Sequence, residues 1–363
     1  MSKIKIAIAG VGNCASALLQ GIEMYKEMAD EPIGLMHYDL GGYKPGDIEV
    51  AAAFDIDQRK VGRKLKDALL AEPNCAQMFY DQLPDYPVTV HMGPVLDGVS
   101  EQMADDDKQK MFITANEEPC DVAQVLKDSG AEMLISYLPV GSEEAVRYYA
   151  QAALDANVGF INAMPIFIAS DESWANKFKE KNIPLIGDDI KSQVGATIVH
   201  RTLTKLFENR GVTLDRTYQI NFGGNTDFLN MLNHNRLQSK KKSKTQAVQA
   251  ELDTPLDQKN IHIGPSDYIP WLNDNKIAYI RMEGRGFGHV PLSLEIKLSV
   301  QDSPNSAGVI IDAVRCMKLA LDRKIGGLLT SISAYTMKSP PIQYTDTESK
   351  QMVEEFIAGR RER

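Results

Sequence analysis

The sequence predicts an α/β fold: a doubly wound parallel sheet interrupted by an inserted α+β domain. Three observations carry that prediction. A short apolar strand near the N-terminus runs directly into a glycine-rich turn and a helix. Apolar strand candidates then alternate with helical stretches. After about Gly211 the texture changes to segments that alternate apolar and polar residues, as antiparallel strands with one covered face do.

The first strand is Lys3 to Ala9, ending at Gly10-Val11-Gly12-Asn13-Cys14-Ala15 and a helix from Ser16. In this G-x-G-x-x-A context Gly10 makes the turn and Gly12 lets the backbone approach a pyrophosphate. Ala15 permits close helix–sheet packing, and the helix N-terminus faces the phosphate charge. The N-terminal part therefore reads as a Rossmann-like NAD domain. A second strand, Val50 to Phe54, ends in Asp55, the position from which a carboxylate bonds ribose hydroxyls. The segment Tyr25 to Asp47 lengthens the usual gap of about 20 residues, and a solvated strand-end carboxylate is the alternative for Asp55. Further parallel strands are expected at Met133 to Tyr137, Gly159 to Asn162 and Pro184 to Gly187, with a helix over Ser142 to Ala156. The acidic stretch Asp97 to Glu118 reads as a solvated surface loop or helix.

Strands at Thr217 to Phe222, Ile277 to Met282 and Leu292 to Val300 build the inserted part, the last two joined by a hairpin loop over Gly284 to Pro291. Asp302 to Ser306 supply helix-starting residues for an apolar-faced helix over Ala307 to Lys324. The expected division is 1–200 with 306–363 for the nucleotide domain and 201–305 for the insertion.

Composition narrows the function. The 363 residues suit two domains at about 150 each. A net charge of -9 argues against nucleic acid as a partner. No apolar run approaches the roughly 20 residues of a membrane span. Four scattered cysteines without a C-x-x-C pair suit reduced thiols, and with no leader-like N-terminus the expected location is cytoplasmic.

Three constellations can carry chemistry. Asp188-Asp189-Ile190-Lys191-Ser192-Gln193 precedes a helix from about Val194-Gly195, an arrangement suited to a phosphate or to plain helix capping. Asn221 to Asp227, with Asn225 and Asp227, suits sugar hydroxyls, a cation or a tight turn. Lys240 and Lys244 lie four residues apart in a basic run, while Lys276 and Lys338 stand alone, and each of these defaults to a surface charge.

Together these segments resemble myo-inositol-1-phosphate synthase in its shorter bacterial and archaeal form. The carriers are Gly10 to Ser16, Asn162-Ala163-Met164-Pro165, Gly187 to Gln193, Asn221 to Asp227, the Lys240 run, Asp274-Asn275-Lys276, Glu283 to Gly286, Glu295-Ile296-Lys297, Asp302 to Ser306 and Lys338. The chain departs from the eukaryotic S-G-Q-T at Ser192-Gln193-Val194-Gly195. The resemblance implies NAD-dependent isomerisation of D-glucose 6-phosphate to 1D-myo-inositol 3-phosphate. Oxidation at carbon 5 acidifies carbon 6, an enolate closes the ring on carbon 1, and carbon 5 is reduced again. Lys240, Lys244, Lys276 and Lys338 would serve the developing oxyanions and proton transfers, with burial or neighbouring cations lowering their pKa values. Asp189 and Asp227 would pair with them or hold a divalent or monovalent cation. Ser192, Gln193 and Asn225 would cradle substrate. Gly10, Gly12, Asn13, Cys14, Ala15, Asp55 and Asp302 would bind NAD. A homotetramer is implied as well. The residues by themselves leave open an NAD-dependent dehydrogenase of a phosphorylated sugar or small oxo acid, and a non-catalytic NAD-binding protein.

Overall fold

In the first strand, β1 (Ile4–Ala9), Ile4, Ile6 and Ile8 point to one face, and Ala7 and Ala9 to the other. Both faces are buried, which is why the segment reads as a nearly continuous apolar run. The structure is a computed structural model that describes residues 3–28, 33–99, 111–232, 247–252, 254–264 and 267–363. Lys240 and Lys244 lie outside the described residues.

After β1 the chain forms α1 (Asn13–Glu27), β2 (Ile48–Asp55), α2 (Leu65–Leu70) and β3 (Val90–Met92). It continues through α3 (Val122–Ser129), β4 (Met133–Ser136), α4 (Glu143–Ala156), β5 (Gly159–Asn162), α5 (Glu172–Glu180) and β6 (Pro184–Gly187). These six strands are parallel and join β12 (Gly327–Leu328) in the order β12-β6-β5-β4-β1-β2-β3. The direction of winding reverses between β1 and β4. In such sheets the crevice at the C-terminal ends of those two strands is where ligands bind.

The chain then enters α6 (Ala196–Asn209), β7 (Thr213–Gly223) and α7 (Thr226–Asn230). Next come β8 (Ile261–Ile263), β9 (Asp267–Tyr268), β10 (Asn275–Arg285) and β11 (Pro291–Gln301). β10 lies antiparallel between β7 and β11, in register from Asn275 opposite Gln301 to Arg285 opposite Pro291. The antiparallel expectation needs a correction, because β8 and β9 pair with β7 in parallel and the sheet is mixed. Strands of three and two residues are too short to show a period in sequence. Leu214, Ile280 and Met282 of this sheet pack with Phe207 of α6. The opposite face exposes Tyr218, Ile220 and Tyr279.

The remaining helices are α8 (Asp302–Asp322), α9 (Thr330–Thr336) and α10 (Asp346–Ile357). α8 packs against α1 and contributes Ile310, Val314 and Met317 to the core on one side of the parallel sheet, while α3 and α4 cover the other. Two local expectations are corrected here. Asp302 sits inside the first turn of α8, capped by Gln301, rather than ahead of the helix. The stretch read as solvated from Asp97 has Met111 and Ala115 buried, Ala115 packing with Val61 and Met92, and Thr114 bridged to Asp57. The surrounding acidic residues hide those apolar anchors in the sequence.

Candidate active site

The crevice at the switch point is a cleft open to solvent, whose walls come from both sheets.

Its nucleotide end is the glycine turn. Gly10 has φ +96°, and a Cβ there would stand 2.4 Å from the Tyr137 carbonyl oxygen, so only glycine fits. Gly12, the extended N-cap of α1, lacks a side-chain cap, and a Cβ on it would meet nothing within 4 Å. Its Cα therefore borders open space where an anion can come close. Ala15 is buried beneath, as close helix packing requires. Asp55 receives the Val11 N–H at 2.8 Å and those of Ile56 and Asp57 at 2.7 and 2.9 Å. Its carboxylate thus ties the end of β2 to the glycine turn while still lining the cleft. Asn13 does supporting work: its Oδ1 accepts the Cys75 and Ala76 N–H groups at 2.7 and 3.0 Å. Cys14 lines the cleft too, and burial, reinforced by Asp274 and Asp302, pushes its thiol up to about 12. It stays a neutral thiol there.

At the other end, the adjacent carboxylates Asp188 and Asp189 diverge. Asp188 is fully buried and accepts hydrogen bonds from Asn162 Nδ2 and the backbone N–H groups of Ile168, Ala169 and Ser170 at 2.7–3.1 Å. It organises the loop after β5; burial raises its pKa to about 6 against those hydrogen bonds. Asp189 has φ +64° and turns into the cleft, where Lys338 Nζ donates to its Oδ1 at 2.8 Å. Beyond it Ser192, Gly195, Ala196 and Thr197 line the wall. Gly195 caps α6 with backbone alone, and the first turn carries no acidic residue, so its N–H groups and the helix dipole are presented to an anion. Gln193 does not fit the expected role. Its amide donates to the Gly34 carbonyl at 2.7 Å and packs over Gly308, away from the cleft. Ser192 and Gln193 therefore differ in what they face, since Ser192 lines the cleft and Gln193 does not.

The opposite wall is built at the start of α7 and β10. Asn225 caps α7 through its Oδ1 to the Phe228 N–H, while its Nδ2 donates to Asp274 at 3.0 Å. Asp274 is buried and accepts from the Ser303 N–H and hydroxyl at 3.0 and 2.9 Å. Burial, and secondly repulsion from Asp302, raises its pKa to about 6. Lys276 Nζ donates to both oxygens of Asp302, at 3.1 and 3.3 Å. Burial pulls this ammonium down, but Asp302, Asp227 and Asp189 outweigh it, and its pKa lies above the ordinary lysine value. The expectation of a lowered pKa is corrected for Lys276: carboxylates surround it, and Lys276 is a cation at neutral pH. Asp227 and Asp302 also line the cleft, as do Lys276 and Lys338. Among the described residues no three His, Cys, Asp or Glu side chains converge as a metal site.

Sequence reading missed Lys60, Asp274 and Gln219. Lys60 and Gln219 line the cleft, and Asp274 is the buried junction behind it. Asp274 was visible as the first residue of the Asp-Asn-Lys segment. Lys60 and Gln219 carried no signal beyond lying on or just after a strand.

The profile described as "Myo-inositol-1-phosphate synthase" matches residues 195–303. Along nearly its whole length the chain is 55% identical, over 364 residues, to "Inositol-3-phosphate synthase" of Mycolicibacterium smegmatis, covering 98% of each. It is 54% identical over 363 residues to the protein of the same name from Corynebacterium glutamicum, again covering 98% of each. Among solved structures, "Crystal structure of Ari2" superposes with a TM-score of 0.80 at 35% identity, covering 99% of both chains. Relatives this similar across both the nucleotide and the lysine-bearing walls leave one conclusion: the chain belongs to the myo-inositol-1-phosphate synthase family.

Proposed function

We propose that the chain is an inositol-3-phosphate synthase, an NAD-dependent isomerase that turns D-glucose 6-phosphate into 1D-myo-inositol 3-phosphate. One observation carries this reading. Two lysines from distant stretches, Lys276 and Lys338, stand in the cleft that holds the glycine turn, each oriented by a carboxylate. NAD fits the nucleotide end on the open face of Gly12 and the cradle around Gly10. Gly10, Gly12, Asn13, Cys14, Ala15, Asp55 and Asp302 would bind or support it. When bound, it supplies the acceptor and then the donor of one hydride at carbon 5.

The N-terminus of α6, with Ser192, takes the substrate phosphate. One N–H of the Asn225 amide is held by Asp274, leaving the other for a sugar oxygen. Lys276 is protonated at rest, so it acts as a fixed positive charge and proton donor at the oxygens that become negative, not as the resting base. Lys338, hydrogen-bonded to Asp189, presents a second ammonium to the same space. Preorganised donors of this kind stabilise charge as it develops. Lys240 and Lys244 keep their place in the proposal on resemblance. Asp189 and Asp227 keep the role that the resemblance gives them, pairing with the lysines or holding a divalent or monovalent cation.

The reading includes the division at 1–200 with 306–363 and 201–305, a cytoplasmic location and a homotetramer. The exposed sheet face with Tyr218, Ile220 and Tyr279 supports self-association, since large apolar groups on one face mark an interface. Light scattering on a sizing column is expected to give four chains per particle; a monomer would remove that part.

Purified protein given glucose 6-phosphate and catalytic NAD is expected to accumulate inositol phosphate with no build-up of reduced cofactor. Reduced cofactor rising with substrate loss would instead favour the simple dehydrogenase. Asp55→Ala is expected to weaken NAD about 10–100-fold, the scale of lost charge-assisted hydrogen bonds. Unchanged affinity by calorimetry would show that another residue holds the ribose.

A further inference from the structure

The glycine turn is gripped from below by a lysine that neither the motif nor the reaction brings to notice. Lys60 follows β2, is 1% exposed, and borders the cleft. Its Nζ donates to the Val11 carbonyl at 2.8 Å and to Asn74 Oδ1 at 2.9 Å, and stands 3.9 Å from Asp55 Oδ2. Asn74 Nδ2 adds a second donor to the same Val11 carbonyl at 3.1 Å. Val11 is thus fixed on both sides, its N–H by Asp55 and its C=O by Lys60 and Asn74.

The geometry has a direct consequence. The Val11–Gly12 peptide is trans, so the Gly12 N–H points opposite to the Val11 C=O. Pulling the carbonyl down onto Lys60 turns that N–H away from Lys60, and Gly12 itself lines the cleft, where a Cβ on it would meet nothing within 4 Å. Burial pulls the Lys60 pKa down while Asp55 and Asp57 raise it, and in either protonation state its Nζ can donate to the Val11 carbonyl. Structural need alone does not explain a lysine here: a buried amine carries a desolvation cost that an apolar side chain of similar size avoids.

We propose that Lys60 is a positioning residue for the dinucleotide: by holding the Val11 carbonyl it aims the Gly12 N–H at the pyrophosphate. This rests on the reading of the glycine turn as the NAD site. The same device applies to any ligand with a pyrophosphate on this turn, and it leaves the sugar-phosphate wall untouched.

The test is calorimetry of NAD, ADP-ribose and glucose 6-phosphate with the full-length wild type and Lys60→Met. NAD and ADP-ribose, which share the pyrophosphate, are both expected to bind about 10–100-fold more weakly to the variant, while glucose 6-phosphate affinity stays within about twofold. A general loosening of the fold would weaken all three. Asn74→Ala, which removes the other donor on the same carbonyl, is expected to weaken NAD several-fold and serves if Lys60→Met does not fold. Wild-type NAD affinity in a folded Lys60→Met, or in Asn74→Ala where only that variant folds, overturns the proposal, as does equal weakening of glucose 6-phosphate. Wild-type protein that binds no NAD would instead overturn the underlying reading of the turn.

Discussion

Lys338→Ala and Lys276→Ala are each expected to lower kcat by about 10²–10³-fold, the effect of removing one preorganised donor to an oxyanion, while the protein folds and binds NAD. The two ammonium groups are not interchangeable. Lys338 comes from the stretch after α9 and is held by Asp189, whereas Lys276 opens β10 and is held by Asp302. Both sit on carboxylates already in place, so little reorganisation is needed when an oxygen beside them becomes negative. Removing either takes one positive charge from beside Asp189 or Asp302, which shifts the local potential against the same oxyanion and adds to the loss. Steady-state assay beside a thermal melt checks this. Wild-type turnover in either variant would take that lysine out of the mechanism.

Gly10→Ala is expected to be the most disruptive single-methyl change in the nucleotide end. At φ +96° an alanine is strained by about 1–3 kcal/mol. Its Cβ would also lie 2.4 and 2.8 Å from the carbonyl oxygen and carbon of Tyr137, backbone atoms that cannot swing aside as a side chain would. Overpacking of that kind costs about 1–3 kcal/mol more. The combined loss, roughly 2–6 kcal/mol, is a large part of an ordinary domain's stability of about 5–15 kcal/mol. A urea unfolding curve should show the midpoint falling, together with loss of NAD binding. An unchanged midpoint would mean that β1 and β4 separate more easily than their packing indicates.

The parts of this molecule that sequence revealed are those fixed by local sterics or by period. Gly10 adopts a backbone angle other residues avoid, and the buried parallel strands are apolar on both faces, so both leave marks within a few residues. The reactive wall is different. Lys338 meets Asp189 across 149 positions and Asn225 meets Asp274 across 49, and neither pairing is written in any local pattern. Resemblance supplied those residues; the fold supplied their partners. The pKa of Lys276 depends on three carboxylates from three separate segments, which is why burial alone gave the wrong direction. Gln193 failed for a simpler reason, since its amide is taken by the Gly34 carbonyl, 159 positions away in sequence. Lys60 carries no local mark in the sequence of its burial under Val11.

In the proposed mechanism the cleft oxidises and then reduces the same carbon of a bound sugar phosphate, with Lys276 and Lys338 neutralising the oxyanions in between. Its most direct measurement uses glucose 6-phosphate carrying deuterium at carbon 5, with NAD far below the substrate concentration. The predicted result is inositol phosphate that retains the label at the derived carbon, with many turnovers per NAD. Label accumulating in released reduced cofactor, or turnover stopping after one equivalent of NAD, would contradict it.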